Sequence, residues 1–217
     1  MKPMKLLIGA CALTLAAAVA TPLTTPVAFA APAADAAAPA SPKLHATMRE
    51  LWQGHAQTTR EYALAVKAGD AAAEKKATDA VVANAKKIAD AVGSFYGDAA
   101  GKKTLELLAG HWGGVKTLTD AQKTGDTAGV TKAMQDLSSN ADDIAKFFAG
   151  ANPNLPESAV KGLFVSHAGH HQMLTGEIMK GETANADKTW AAMQAHMNTI
   201  ADALSDGIAK QFPAKAT

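Results

Sequence analysis

From residue 43 onward the apolar residues recur every three or four positions, the spacing that lines one face of an α-helix. Leu44, Met48, Leu51, Trp52, His55, Tyr62 and Val66 form a first stripe, and Val81, Asn84, Ile88 and Val92 a second. Leu108, His111, Val115 and Leu118 are followed by Leu137, Asn140, Ile144 and Phe148. A last pair runs through Val160, Leu163, Phe164, His167, Leu174 and Ile178, then Met193, His196, Ile200 and Leu204. Between the paired stripes stand Gly69-Asp70, Gly125-Asp126 and Gly181-Glu182. Glycine accepts the left-handed conformation just past a helix C-terminus, and the acid suits the positive start of the next helix. Asp70 and Asp126 can cap that helix directly. Gly97–Gly101 and Asn152-Pro153-Asn154-Leu155-Pro156 are expected to break the helices between hairpins. The pattern predicts an all-α chain of six helices in three αα-hairpins.

The hairpins are in register with one another. Adding 56 to His55, Gly69, Asn84 and Ile88 gives His111, Gly125, Asn140 and Ile144, and adding it again gives His167, Gly181, His196 and Ile200. Leu51, Leu107 and Leu163 align as well, as do Lys76, Lys132 and Lys188, with no gap. A fixed period marks a repeated supersecondary unit. The units are expected at 43–97, 98–153 and 154–213, closed into a six-helix bundle or laid in an open arc as in a solenoid.

His55 and Asn84 lie at similar distances from their turn, roughly 20 Å at 1.5 Å rise per residue. The same holds for His111 with Asn140 and for His167 with His196. All six lie on apolar stripes, so they are expected to point inward and to meet in one polar layer if the hairpins pack around one axis. Two readings follow. In one, each histidine pairs with its Asn or His neighbour and the layer only fixes helix register, because buried polar groups need partners. The protein is then a non-catalytic interaction module whose partner is an envelope protein.

In the other reading the layer holds a transition-metal ion, since imidazole is the commonest metal ligand and facing bundle helices are where such sites are built. His167 and His171 stand four apart and His167 and His170 three apart, so one helix presents two imidazoles on a face. Met193, His196 and Met197 add thioether and imidazole within a turn. The expected ligands are His111, His167, His171 and His196, with Met193 and Met197 as soft auxiliaries. Imidazole with thioether, and without carboxylate or thiolate, favours copper, then zinc or nickel. His45 with Met48 forms a weaker pair, expected to be exposed. Arg60 and its aligned counterpart Lys116 read as cations lying along the edge of a stripe. A small-ligand pocket in the bundle core is a third possibility.

Residues 1–30 have the form of a cleavable export signal: Lys2 and Lys5, an apolar run Leu6–Ala20, and Ala28-Phe29-Ala30 for cleavage. The run is too short to favour a membrane span, so a periplasmic or secreted protein is expected. Residues 31–42, almost wholly Ala and Pro, read as a linker. The only cysteine, Cys11, falls in the signal, which leaves the exported chain without disulfide, thiolate ligand or c-type haem attachment. Removing two of 21 basic residues against 20 acids leaves a net charge of −1. With no basic run, nucleic acid is not an expected partner. No Glu-x-x-His, His-Glu-x-x-His, phosphate loop or nucleophile elbow occurs, so the reading leans away from an enzyme.

Leu51-Trp52-x-x-His55, Thr59-Arg60, Asn140-Ala141-Asp142-x-Ile144-Ala145, Asn152-Pro153-Asn154 and Gly207-Ile208-x-x-Gln211-Phe212-Pro213 together resemble a family of secreted bacterial all-helical proteins without an established activity. The resemblance implies a secreted helical domain and nothing about substrate or site. His170, His171 and Met173 lie outside the resembling motifs.

Overall fold

The structure, a computed structural model, describes residues 41–216. Within them lie six helices and no strand: α1 (Pro42–Ala68), α2 (Ala71–Tyr96), α3 (Asp98–Thr124), α4 (Thr127–Ala151), α5 (Glu157–Lys180) and α6 (Thr183–Gln211). The expected export signal, and the expected linker apart from Ser41 and Pro42, lie outside the described residues. Pro42 opens α1 at a position where its missing N–H costs nothing. No described helix is long and apolar enough to cross a membrane.

The turns form for the reasons the sequence suggests. Gly69, Gly125 and Gly181 each take a left-handed conformation, with φ of 69°, 72° and 75°. Asp70 accepts from the backbone N–H groups of Ala72 and Ala73, and Asp126 from that of Gly129. Glu182 differs: its carboxylate accepts from the Asn185 amide instead of capping α6. The break between the first two hairpins is also shorter than the glycine spacing suggests. Gly97 alone makes it, and Gly101 lies buried inside α3. There its missing side chain lets α3 approach α2, since a Cβ would come within 3.3 Å of the Gly93 Cα.

Each even-numbered helix packs in the groove between two odd-numbered ones: α2 on α1 and α3, α4 on α3 and α5, α6 on α5 and α1. The odd helices α1, α3 and α5 also touch one another. The result is a closed six-helix bundle, three inner helices with three outer helices filling the gaps, and not an open arc. Antiparallel hairpins make the inner three run parallel, so their C-terminal dipoles stand side by side. Lysines answer this: Lys67 donates to the Met179 carbonyl, and Lys123 to the Val66 carbonyl at 2.7 Å.

Parallel inner helices carry the 56-residue register into space as layers. Trp52, Leu108 and Phe164 occupy one register position, with Trp52 and Phe164 edge to face at 5.6 Å. Three residues further on come His55, His111 and His167, and four beyond those Thr59, Val115 and His171. All nine are buried.

The outer helices grip the inner ones by one recurring bond. Asn84 donates to the Leu51 carbonyl and Asn140 to the Leu107 carbonyl, both at 3.0 Å, and His196 Nε2 donates to the Leu163 carbonyl at 2.9 Å. Gly54 and Gly110 make room for the two asparagines, since a Cβ there would stand 2.9 Å and 3.2 Å from the amide nitrogens. Ser166 holds that place in the third hairpin, where the partner is histidine.

Asn84→Ala and Asn140→Ala should each lose about 1 kcal/mol, lowering Tm by roughly 2–4 °C in a chain of this size. Gly54→Ala should displace the same bond, so the Gly54→Ala/Asn84→Ala pair should cost less than the sum of its parts in thermal melts. Full additivity would show that glycine and asparagine act independently.

Candidate metal centre

The three level histidines meet on the bundle axis. The ring centroids of His55, His111 and His167 form a near-equilateral triangle with sides of 5.7, 5.5 and 5.3 Å. His171, one turn along α5, stands over this triangle at 6.1, 5.5 and 4.4 Å from the three rings. One ligand nitrogen from each of the four lies within 4.8 Å of the others. The four side chains are sealed from solvent, at 3%, 4%, 1% and 2% exposure in chain order. Together they could hold a metal ion. Tetrahedral coordination at about 2.0–2.1 Å would place the nitrogens about 3.3 Å apart, a closure of about 1.5 Å for the widest pair.

Hydrogen bonding inside the cluster is incomplete. His167 and His171 share one bond between their Nε2 atoms at 3.0 Å, one donating to the other. Both nitrogens of His55, Nε2 of His111 and Nδ1 of His167 are buried without a partner in the protein. Each such atom costs about 1–3 kcal/mol. A layer that served only to pair polar groups would not leave four unpaired, whereas each neutral ring keeps one lone pair able to ligate a cation.

All four imidazoles are held neutral. Burial lowers His55 to about 3, with His111 adding to the effect. Burial lowers His111 to about 4, opposed by the nearby Asn140 amide. His167 and His171 are pushed well below the usual histidine value, first by burial and then by their neighbouring histidines. Neutral imidazole is the ligating form.

The sequence-derived ligand set is thus partly assembled and partly redistributed. His111, His167 and His171 belong to the cluster. His55, expected only in the polar layer, completes it. His196 lies outside, half-buried and bound through Nε2 to the Leu163 carbonyl. Met193 and Met197 are wholly buried in the apolar core formed with Ile200 and Leu204. Asn84 and Asn140 do not pair with their histidines in ordinary hydrogen-bond geometry, because each amide reaches the carbonyl four residues before the histidine instead.

The expectation for His45 is corrected. It is buried, with Nδ1 3.0 Å from Asp202 and Nε2 3.0 Å from Asp206, while Arg49 forks onto Asp202 at 2.6–2.7 Å. The period could not reveal this cluster, which joins the two ends of the domain and has no counterpart 56 residues away. Arg60 lies over the Trp190 ring at 5.1 Å and Lys116 over Tyr62 at 5.3 Å, as cations spread along a stripe should.

No protein-family model, curated protein or solved structure matches this chain. Geometry and chemistry alone therefore carry the functional reading.

The lowered histidines fix the sign of a pH response in the metal-free protein. Each takes up a proton on unfolding between its folded value and the ordinary 6.5, so stability is full above that value and lost as pH falls below it. The slope should approach about 1.4 kcal/mol per pH unit for each histidine. Denaturant melts at pH 7.5, 6 and 5 should show a progressive loss toward pH 5 that shrinks in His55→Leu. Equal stability at pH 5 and 7.5 would contradict the buried neutral cluster.

Proposed function

We propose that this protein binds a transition-metal ion through His55, His111, His167 and His171, as an exported binding protein of the periplasm or extracellular space. The observation that carries the reading is the meeting of four buried imidazoles from three inner helices, one nitrogen of each within 4.8 Å of the others. Export rests on the N-terminal signal and on the resemblance to a secreted helical family.

Copper is the favoured ion, on different grounds from those in the sequence. The thioethers do not enter this reading, but the four ligands are neutral. Among the described residues, the charges acting on these histidines are those of other histidines. A dry site without a carboxylate is costly for a divalent ion, because desolvation rises with the square of the charge. A cuprous ion carries a single charge and accepts imidazole. Zinc, matched to four tetrahedral nitrogens, is the alternative.

The competing reading, an envelope interaction module whose polar layer only sets register, makes the opposite prediction for one substitution. There, removing a layer histidine lowers stability and metal changes nothing. For a metal site, His55→Leu fills the same space and removes two unpaired nitrogens. The metal-free Tm should then rise or hold.

Thermal melts with Cu(I), Cu(II), Zn(II) and Ni(II) test both. An ion at 100 times its Kd adds about 2.7 kcal/mol, roughly 5–10 °C in a chain of this size. We expect the largest shift with Cu(I) and none in His55→Leu. No shift with any of the four ions, together with a fall in Tm for His55→Leu, would establish the register layer instead.

A further inference from the structure

We infer that His170 and His196 form an uptake station on the α5–α6 side of the bundle, where a metal ion is first captured before passing to His167 and His171. This rests on the metal-binding reading above. The four final ligands are too buried for a hydrated ion to touch them. An ion must therefore exchange its water for protein ligands at some intermediate point.

The pair is placed and prepared for that exchange. The rings of His170 and His196 lie 5.1 Å apart, tilted by 36°, and both residues are half-buried. His170 directly precedes His171 and stands one turn from His167. His196 Nε2 donates to the Leu163 carbonyl, which fixes the tautomer and leaves the Nδ1 lone pair free. That is how ligating histidines are commonly oriented. His170 Nδ1 is buried with no partner in ordinary hydrogen-bond geometry, while the Ser166 carbonyl lies close enough to act on the ring. Met173, 51% exposed and three residues after His170, shares a groove with Gln122, Thr127 and Val130 and is left out of the pair.

The comparison between hairpins separates this pair from the framework. The positions equivalent to His170 and His196 are Thr58 and Asn84 in the first hairpin and Gly114 and Asn140 in the second. Asparagine makes the carbonyl bond there equally well, so the fold does not require imidazole at either place. Only the third hairpin, which also supplies the fourth ligand His171, carries histidine at both.

The test is Cu(I) uptake by the full chain from a chromophoric chelator, followed in time and to equilibrium. His170→Ala removes one imidazole. Ser166→Gly/His196→Asn transplants the glycine–asparagine pair of the first hairpin, keeping the Leu163 bond while removing the other. Both should slow uptake by about tenfold or more, with the amount bound and the Tm shift at saturation unchanged. Uptake at the wild-type rate in both variants would overturn the station and leave the metal reading standing. Loss of bound copper at equilibrium would overturn it too, by making these residues ligands of the final site. No Cu(I) uptake by the unaltered protein would overturn the copper assignment, and the station proposed for that ion with it.

Discussion

Closing α6 onto α1 is the constraint on which the rest of this structure depends. Three αα-hairpins can pack in a row, but only in a ring do all three odd-numbered helices meet at an axis. The contact spans most of the domain in sequence and is held by a polar seam. Arg49 and His45 bind Asp202, His45 also reaches Asp206, and Gln53 reaches the Gln194 carbonyl and the Asn198 side chain. Ion pairs this near the surface contribute little individually. Their value is directional, because the apolar face of α6 could slide along α1 and these bonds select one alignment. The apolar stripes around Met48, Trp52, Met193, Met197, Ile200 and Leu204 then supply the burial.

Once the ring is closed, the level of each residue follows from its place in the 56-residue register. This is why so much of the architecture is legible in sequence. Helix count, turn positions and the three level histidines all follow from periodicity and turn chemistry. Gly101 misleads because its composition resembles a break, whereas its use is a close approach of two backbones that only packing defines. The asparagines of the polar layer mislead in a similar way. Asn84 and Asn140 share a height with His55 and His111, but height does not say which way an amide turns. The small residue at Gly54 or Gly110 opens the path to a carbonyl, and that detail decides the bond. The His45 cluster was not legible at all, since it joins ends of the chain that have no periodic relation.

A parallel trio of helices offers three equivalent ligands in a plane, and three imidazoles alone leave one side of an ion uncovered. A fourth ligand would have to come from a departure from equivalence. A candidate stands at the position that is Thr59 on α1 and Val115 on α3 but His171 on α5. Thr59 satisfies its own hydroxyl within its helix, bonding the His55 and Ala56 carbonyls, and Val115 has nothing to satisfy. The layer above the triangle therefore carries a candidate ligand on one side only.

The same hairpin keeps the main framework contacts of the other two while adding imidazoles of its own. Its Gly181 turn and its outer-to-inner carbonyl bond are kept. Histidines appear at 170, 171 and 196. A substitution that preserves the carbonyl bond costs the framework little, so position 196 was free to exchange amide for imidazole. Position 171 was a harder exchange, since it adds a polar group to a dry layer. Its Nε2 contact with His167 offsets part of that cost, and a bound cation would offset the remainder. The unpaired nitrogens of His55 and His111 have no such internal remedy. A core that tolerates them relies on the apolar burial of the layers around it.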